Sequence, residues 1–417
     1  MSAGEPLATP ISHQHDLRTF FIDPLDGQDC RSLKLFYFEA GGGHRSAAVA
    51  LRDVMKEYFP GWQVDLVDLF SDVLRPLDPL HRLAGRYRVE DIYNGILKRG
   101  WTYGFTTMLR IQKKLINYYA PELEELLQRY WRRNGRPDLV VSVIPFFNEV
   151  MSRTLRRVHK HTPYITVMTD LADCPPHFWQ GNQDHHIICG SDMAAYQARM
   201  AGYRPEHIFK TSGMILKPHF YRTDAFTDRG REREKLSLDP GRLTALIMFG
   251  GNGAEAAMTI VDRLNRSKLD IQSIVMCGRN EKLRKELATR KACHAVGFTA
   301  EKVPYFMRLA DFFIGKPGPG SISEALHMGL PVIVEHNHRT MPQERYNAQW
   351  VREQELGITI KSFAHIVPAV KSMLENGKLE RFCHNARRFE NRAVYEIPDI
   401  FNQVMTMSIF KNIEANR

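Results

Sequence analysis

A glycine-rich stretch between two short apolar runs carries the strongest chemical signal of this chain. Residues 315–347 read GKPGPGSISEALHMGLPVIVEHNHRTMPQERYN. The run 311-DFFIG predicts a strand, Ser321 precedes an amphipathic helix, and PVIV predicts another buried strand. Glycines let the backbone approach a ligand closely, and the free N–H groups and the dipole of a helix start favour an anion. The loop residues predicted to hold phosphate groups are Gly318, Pro319, Gly320 and Ser321.

A carboxylate near the start of the same predicted helix narrows the class of ligand. Glu324 is oddly placed if phosphate is the only ligand. A carboxylate at this position can cap backbone N–H groups, or it can accept hydrogen bonds from the diol of a ribose. The combination of glycine loop and Glu324 indicates a sugar nucleotide rather than bare phosphate.

This segment resembles the donor-site signature of glycosyltransferase family 28, which includes the monogalactosyldiacylglycerol synthases and the processive diacylglycerol glucosyltransferases. In that branch the pattern is close to GKxGPGT-x-x-EAL-x-x-GLP-x-I, followed by P-x-QE-x-x-N. The chain matches the first part with Ser in place of Thr, and 341-MPQERYN lacks only the usual proline–glycine ahead of it. The resemblance implies a UDP-sugar donor, with Glu324 on the ribose and Gln343, Glu344 and Asn347 on the hexose hydroxyls.

A second glycine loop follows the apolar run 243-LTALIMF and comprises Gly250, Gly251, Asn252 and Gly253. Read from Gly251 it fits GxGxxA, so a dinucleotide site is one interpretation. The next strand ends Cys277-Gly278-Arg279 and lacks the acid that a dinucleotide ribose requires. A nest for the donor diphosphate is therefore favoured, and the resemblance implies one here.

Two further donor contacts are implied by the resemblance alone. Lys217, in 213-GMILKP, stands where relatives carry an arginine on the diphosphate. Lysine keeps the charge but loses the bidentate fork. The backbone beside Phe298 would read the uracil, although a simply packed phenylalanine is the alternative.

The acceptor side is predicted around a histidine on a glycine turn, 41-GGGHRS, which matches the family's GGGH-R-x-S/A turn. Imidazole suits the removal of a proton from an acceptor hydroxyl near neutral pH. His44 is the predicted catalytic residue, and Gly42 and Gly43 line the acceptor site. Glu39 stands where relatives carry Asp, and it is either the base or the group that orients His44.

Another motif, TD-L-x-x-x-H-P-x-W in relatives, begins here at Thr169-Asp170. Its later members, His177 and Trp179, lie further along the chain than the pattern expects. Asp170 is predicted to contact the acceptor. Trp179 is either an acceptor contact or part of the core.

The organisation predicted from the sequence is α/β with two Rossmann-like halves, because apolar strand-like runs alternate with helical runs in both. The resemblance implies the GT-B fold, with two facing Rossmann-like domains, parallel sheets and a C-terminal crossover helix. The predicted ranges are a polar extension at 1–30, an acceptor domain at 31–221, a linker at 222–242, a UDP-sugar domain at 243–390 and the crossover helix at 391–417.

The net charge of +10 is concentrated in one segment. Residues 75–135 hold twelve Lys/Arg against six Asp/Glu, interleaved with aromatic residues that include Trp101, Tyr103 and Trp131. Basic and aromatic residues together suit nucleic acid or an anionic membrane surface. No nucleic-acid module accompanies them, so the membrane is favoured. A solvated helical face remains the alternative.

Several classes of protein are excluded by what the sequence lacks. No apolar run reaches the roughly 18 residues of a membrane span, and the N-terminus has no secretory pattern. The six scattered cysteines suit a reducing compartment. The sequence has no DxD or HExxH motif, which predicts that no metal or other cofactor takes part. The expected location is cytoplasmic, peripheral on the inner face of the cell membrane.

These observations predict an inverting, metal-independent transferase that moves a hexose from a UDP-sugar to a hydroxyl of a membrane lipid, most simply diacylglycerol. A polyprenyl-linked or soluble acceptor is the alternative for the same chemistry. A regulator that binds sugar nucleotides without turnover is the rival from another class of protein.

Overall fold

Short runs rich in β-branched and aromatic residues form two parallel sheets in the computed structural model of the chain. The structure describes residues 30–39, 42–77, 118–181, 184–222, 228–251 and 253–415, with side chains up to residue 410. Most of the predicted N-terminal extension, the part of the basic segment at 78–117 and Asn252 lie outside these ranges.

The first sheet belongs to the N-terminal half of the chain. Its strands, in the spatial order β2-β1-β3-β4-β5-β6, are β1 Arg31–Tyr37, β2 Trp62–Asp68, β3 Leu139–Ser142, β4 Tyr164–Val167, β5 His186–Cys189 and β6 Ile208–Lys210. All described pairs are parallel. We call this sheet with its helices the first lobe.

The second sheet repeats the scheme in the C-terminal half. Its strands, in the spatial order β12-β11-β10-β7-β8-β9, are β7 Leu243–Met248, β8 Ile271–Met276, β9 Cys293–Val296, β10 Phe312–Gly315, β11 Val332–Glu335 and β12 Gly357–Ile360. These pairs are also parallel. This sheet and its helices form the second lobe.

Helices cover both faces of each sheet. They are α1 Gly43–Tyr58, α2 Ala120–Arg133, α3 Asn148–Val158, α4 Asp192–Met200, α5 Arg229–Lys235, α6 Ala256–Arg266, α7 Glu281–Leu287, α8 Val303–Leu309, α9 Pro319–His327, α10 Arg345–Glu353, α11 Ile366–Leu374, α12 Lys378–Arg387 and α13 Ala393–Ala415. Alternate residues of a strand point to opposite faces, so Leu33 and Leu35 join the core under α1 while Phe36 joins the core under α2 and α3.

Short helical turns complete the described chain. They are a π-helix at Leu69–Leu74 and 3₁₀ turns at Arg75–Leu77, Pro205–His207, Pro218–Tyr221, Pro342–Glu344 and Phe363–His365.

The C-terminal helix crosses from the second lobe back to the first. Before it begins, Asn391 Nδ2 donates to the carbonyl oxygen of Met214 at 2.8 Å. Val394, Ile397 and Phe401 are then buried in the first-lobe core together with residues of α1. The crossover expected from the sequence is therefore present, and it ties the two lobes together.

The described part of the predicted linker 222–242 is packed against the second lobe. It contains α5, whose Arg233 is buried and donates to the Leu309 carbonyl at 2.8 Å and to the Asp311 carboxylate at 2.7 Å. Some of the charged residues in this stretch are therefore structural. Composition alone does not distinguish them from the charged residues of a solvated linker.

One aromatic residue of the basic segment has a structural role instead of a membrane role. Trp131 lies on α2 and is 1% exposed, with its indole N–H donating to Thr154 Oγ1 at 3.1 Å. The interpretation of Trp131 as an interfacial aromatic was therefore wrong. Tyr118, just before α2, is exposed.

Candidate active site

One glycine loop singled out in the sequence follows β1 of the first sheet, and the two donor loops follow the neighbouring strands β7 and β10 of the second. In the first lobe β1 pairs with β2 on one side and β3 on the other, so the strand order reverses there. In the second lobe the reversal lies between β7 and β10, the strands that precede the two donor loops. Open parallel sheets bind ligands at the carboxyl ends of strands beside such a reversal. Both halves of the predicted site therefore lie where this architecture places a ligand.

His44 is the second residue of α1 and is held by the segments that follow β3 and β4. Its Nδ1 lies 2.7 Å from the carbonyl oxygen of Val143, directly after β3, and 3.1 Å from Oγ1 of Thr169, after β4. A carbonyl oxygen only accepts, so Nδ1 carries the ring proton and Nε2 keeps its lone pair. The ring also packs against Phe38, with centroids 4.7 Å apart, and lies 6.0 Å from Trp179.

The surroundings of His44 keep it neutral. Burial lowers its pKa to about 4, and the hydrogen bond to the Val143 carbonyl opposes this only in part. At neutral pH the imidazole is therefore unprotonated at Nε2, the state that a general base requires.

Glu39 is engaged with a different partner. Its carboxylate lies 3.1 Å from Nε of Arg45, and both side chains are substantially exposed. The hydrogen bonds that orient the His44 ring come from Val143 and Thr169. Glu39 therefore does not orient His44. That role belongs to the Val143 carbonyl and the Thr169 hydroxyl, which could not be predicted from the sequence.

Asp170 and Trp179 form a buried pair beside His44. The Trp179 indole N–H donates to Asp170 Oδ2 at 2.8 Å, and Asp170 is only 6% exposed. Trp179 also packs in a cluster that includes Met341 of the second lobe. The pair therefore lies at the junction of the two lobes, and Trp179 is both a core residue and a wall of the cleft.

Charges from the second lobe face this pair. Burial raises the pKa of Asp170 to about 7, with a smaller increase from Glu344 and a decrease from Lys316. Glu344 is 6% exposed and its carboxylate lies 3.0 Å from Nζ of Lys316. Lys316, which was not among the predicted site residues, therefore forms an ion pair with the predicted hexose ligand Glu344.

The two donor loops have the backbone that a diphosphate nest requires. Gly253 has φ +63°, and a Cβ there would lie 2.4 Å from the Cys277 carbonyl oxygen. Gly250 also has positive φ, and no atom lies within 4 Å of a Cβ placed at Gly320. Glycine avoids backbone strain at Gly250 and Gly253 and a clash at Gly253, and at Gly320 it leaves the loop open. Helix α9 begins in this space with no side chain capping its N-terminus.

Phe298 is 52% exposed, so it is not the packed core residue that the sequence left as an alternative. The guanidinium of Arg279 lies over its ring at 4.1 Å, a cation–π contact. The Arg279 backbone N–H also donates to the Gly251 carbonyl at 2.9 Å. Arg279 and Phe298 thus form one wall beside the first donor loop, at the strand end where a dinucleotide site would need an acid.

Glu324 lies on α9 close to the lobe junction. Burial raises its pKa to about 7, and the nearby ammonium group of Lys217 lowers it in part. Glu324 is predicted to contact the ribose and Lys217 the diphosphate, and the two side chains lie near each other.

The amide residues predicted to contact the hexose differ in their placement. Gln343 is 8% exposed, and its Oε1 has no hydrogen-bond partner among the described residues. Asn347 is fully buried, and its Nδ2 donates to the Pro317 carbonyl at 2.8 Å. Asn347 Oδ1 likewise has no partner among the described residues. Both amides therefore keep an open acceptor, and Asn347 also supports the glycine loop through Pro317.

No cluster of three or more His, Cys, Asp or Glu side chains suited to a metal occurs among the described residues. Within the same ranges, no helix combines the length and the apolar character needed to cross a bilayer.

Comparison with known sequences decides the family. A profile described as "Monogalactosyldiacylglycerol (MGDG) synthase" matches residues 44–214, and one described as "Glycosyltransferase family 28 C-terminal domain" matches residues 244–382. These ranges begin at His44 and include both donor loops. The chain belongs to glycosyltransferase family 28. The family resemblance seen in the sequence is thereby confirmed, and this family 28 chain is a glycosyltransferase.

Plant enzymes resemble this family 28 chain along most of its length. Probable monogalactosyldiacylglycerol synthase 2, chloroplastic, of Oryza sativa subsp. indica is 29% identical over 390 residues, 88% of this chain and 79% of its own. Monogalactosyldiacylglycerol synthase 3, chloroplastic, of Arabidopsis thaliana is 28% identical over 398 residues, covering 90% and 82%.

Solved structures share the fold at low sequence identity. MurG of Acinetobacter baumannii is 12% identical with a TM-score of 0.57, covering 89% of this chain and 99% of its own. The calicheamicin glycosyltransferase CalG4 is 12% identical with a TM-score of 0.57, covering 90% and 98%. Anabaena HepE in complex with UDP-glucose is 16% identical with a TM-score of 0.51, covering 91% and 99%. The expected GT-B fold is confirmed.

The raised pKa of Asp170 leads to a prediction about stability. The folded state keeps this proton up to about pH 7, whereas an unfolded aspartate loses it near pH 4, so the free energy of unfolding falls as pH rises across that window. One pKa unit corresponds to about 1.4 kcal/mol. We expect Asp170→Asn, which still accepts from Trp179, to stabilise the protein at pH 8 by about 1–3 kcal/mol and to lose this advantage by pH 4.

Urea unfolding of both proteins at pH 4, 6 and 8 measures the effect, with Asp53→Asn on the exposed face of α1 as the control. Equal destabilisation by Asp170→Asn at every pH would instead make the carboxylate a stabilising partner of Trp179.

Proposed function

We propose that this family 28 enzyme transfers galactose from UDP-galactose to the free hydroxyl of diacylglycerol, with inversion at the sugar carbon. Its plant relatives are monogalactosyldiacylglycerol synthases, which supports galactose as the hexose and diacylglycerol as the acceptor. The observation that carries the proposal is the neutral His44, whose Nε2 is free at the carboxyl edge of the first sheet, with the donor loops of the second lobe at the corresponding edge.

Each part of the cleft has a role in this reaction. Nε2 of His44 takes the proton of the acceptor hydroxyl as its oxygen attacks C1 of the sugar. The bond between C1 and the diphosphate oxygen breaks, and UDP leaves with the electron pair. Attack from the face opposite the leaving group inverts the configuration at C1.

The leaving charge is proposed to be met without a metal. Backbone N–H groups at the start of α9 and in the loop that contains Gly250, Gly251 and Gly253 would face the diphosphate. Lys217 adds a positive charge beside Glu324. Gln343 and the ion-paired Glu344 would accept from the galactose hydroxyls.

Donor binding is tested by calorimetric titration of UDP in the presence of EDTA. Loss of a hydrogen bond to a charged group costs about 1.5–3 kcal/mol, so we expect Glu324→Ala to weaken UDP binding by about tenfold or more. Glu353→Ala, at the exposed end of α10, is the control. UDP affinity that survives in Glu324→Ala would remove the ribose assignment, and a requirement for added metal would overturn metal independence.

Catalysis is tested by transfer from radiolabelled UDP-galactose to diacylglycerol in mixed micelles. We expect His44→Ala to lower kcat by about 100-fold or more, the usual scale for general base help, while UDP affinity stays the same. His384→Ala, exposed on α12, should behave as the unsubstituted enzyme.

The outcomes of this assay separate the alternatives. Transfer from UDP-glucose alone would change the sugar, and transfer only to a polyprenyl-linked or soluble acceptor would change the acceptor. UDP binding without turnover of any UDP-hexose would favour a sugar-nucleotide-binding regulator. If Glu39→Gln proves more damaging than His44→Ala, Glu39 is the base.

We propose that the enzyme reaches its lipid acceptor by peripheral binding to an anionic membrane through residues 75–117. The support is the basic and aromatic composition of that segment, most of which lies outside the described residues. The plant relatives are named chloroplastic, which does not support the expected inner face of a cell membrane. The proposal is therefore limited to an anionic membrane surface.

Co-sedimentation with liposomes tests this membrane proposal. Each Lys or Arg near an anionic surface contributes about 1 kcal/mol and is screened by salt. We therefore expect binding to increase with anionic lipid and to decrease at high salt. Joint reversal of Lys98, Arg99, Lys113 and Lys114 to Glu should lower binding and transfer while UDP affinity is retained. Salt-independent binding, or normal transfer by that variant, would return the segment to a solvated helical face.

A further inference from the structure

A basic pocket of about 190 Å³ lies at the edge of the first sheet opposite the active site. It is formed by the starts of β4 and β5, the end of α3, the turn before β6 and the last turns of α13. The active-site loops follow the carboxyl ends of the strands, whereas this pocket is at their amino ends. It therefore belongs to neither the donor nor the acceptor site.

Cationic side chains reach the pocket from three separate segments. They are Arg156 on α3, Lys160 in the turn after it and Arg204 before β6. Arg204 Nη2 lies 2.7 Å from Oδ1 of Asp184, and Arg156 Nη1 lies 3.5 Å from its Oδ2. Two guanidinium groups thus already converge on one oxyanion, the exposed carboxylate of Asp184.

The positive charge in the pocket exceeds what this carboxylate neutralises. Glu206 lies 3.5 Å from the same Arg204 and is the second acid of the neighbourhood. Lys160 forms no ion pair with any carboxylate in the described ranges. The pocket therefore has three cations, Arg156, Lys160 and Arg204, but only two nearby acids, and both acids pair with Arg204. This excess of positive charge favours the binding of a further anion.

A buried histidine adds a donor at the pocket wall. His185 is 3% exposed, and its Nε2 lies 2.9 Å from Thr166 Oγ1 and 3.3 Å from the Tyr203 hydroxyl. Neither hydroxyl has another hydrogen-bond acceptor among the described residues, so Nε2 is the acceptor available to a hydroxyl proton.

The ring proton of neutral His185 is therefore on Nδ1. That atom is buried and has no hydrogen-bond partner among the described residues. A buried donor without an acceptor destabilises the fold, which favours a ligand that can accept.

We propose that this pocket binds a small soluble dianion of the phosphate class, inorganic phosphate or a phosphomonoester. Arg156, Arg204 and Lys160 supply charge and donors from different directions, which suits the several oxygens of a tetrahedral anion better than a planar carboxylate. The volume is sufficient for such a group with its nearest waters, and it is too small for a nucleotide sugar.

Binding at this pocket would be transmitted to the crossover helix. Ser408 and Met407 of α13 form part of the pocket wall, and Ser408 Oγ donates to the His161 carbonyl at 3.2 Å. The same helix begins at the lobe junction, beside the Asn391 contact with Met214. A ligand in the pocket therefore stabilises the helix that connects the two lobes, in addition to the first lobe itself.

The test is a calorimetric titration of inorganic phosphate into the full chain with UDP held at saturation, so that the donor loops are filled. Ionic strength is kept constant with sodium chloride, and sodium acetate replaces phosphate in a parallel titration. We expect phosphate to bind at one site with acetate much weaker. The double variant Arg156→Gln with Lys160→Gln should weaken phosphate binding by about tenfold or more, because two charge-assisted contacts are lost.

Lys371→Gln, on the exposed face of α11 in the second lobe, is the matched control and should bind phosphate normally. UDP affinity should be the same in all variants, which separates this site from the donor site. Glycerol 3-phosphate in place of phosphate tests whether a monoester is accepted, and binding of either compound fits the proposal.

Three outcomes would overturn the proposal. The first is phosphate binding that vanishes when UDP is saturating, which would assign it to the donor loops. The second is undiminished binding in the double variant, and the third is acetate binding as tightly as phosphate. Thermal denaturation of each variant without ligand identifies any that is unfolded. If the double variant is unfolded, His185→Gln takes its place in the titration, because it alters the unpaired donor without removing a surface charge.

Discussion

The structure of the cleft depends on one hydrogen bond, from Nδ1 of His44 to the carbonyl oxygen of Val143. It links the loop after β1 to the loop after β3, and these strands are neighbours because the sheet reverses its order between them. The bond fixes both the ring direction and the tautomer, since a carbonyl can only accept. The role proposed for His44 requires Nε2 to be free, and this contact is what leaves it free.

Burial sets the protonation of the other groups around the cleft. It lowers the pKa of His44 and raises those of Asp170 and Glu324, so all three are driven towards their neutral forms. In the second lobe the Glu344 carboxylate lies 3.0 Å from Nζ of Lys316. The largest charge that would enter this cleft is that of the donor diphosphate. The backbone dipoles of the glycine loops and the ammonium group of Lys217 would then act on that charge together.

The central strands of both sheets could be predicted from the sequence, because strands buried on both faces appear as continuous apolar runs. Three strands, β6, β9 and β12, could not be predicted in this way, and all three lie at sheet edges. They have three or four residues, and no continuous apolar run marks them. Helix α1 could be predicted because its buried residues Ala47, Leu51, Val54 and Met55 repeat at helical spacing.

Side chains of the site could be predicted where a motif carries them, and tertiary partners could not. His44 and Glu324 are visible because each follows a glycine turn. The partners of His44 are the Val143 carbonyl and the Thr169 hydroxyl, about 100 residues away or more in sequence, and no local pattern marks a backbone acceptor. For Asn347 the motif predicts the residue but not its contact. Only the structure shows that its Nδ2 donates to the Pro317 carbonyl beneath the loop.

The state of the His44 ring is the most direct test of this account. Nitrogen NMR of the full chain labelled with ¹⁵N-histidine, compared with His44→Gln to assign the signals, reports which ring nitrogen carries the proton. We expect the His44 ring to be neutral at pH 7 with its proton on Nδ1, and to gain a second proton only when the pH approaches about 4. A doubly protonated ring at pH 7, or a proton on Nε2, would contradict it, because His44 would then have no lone pair with which to accept the proton of the acceptor hydroxyl.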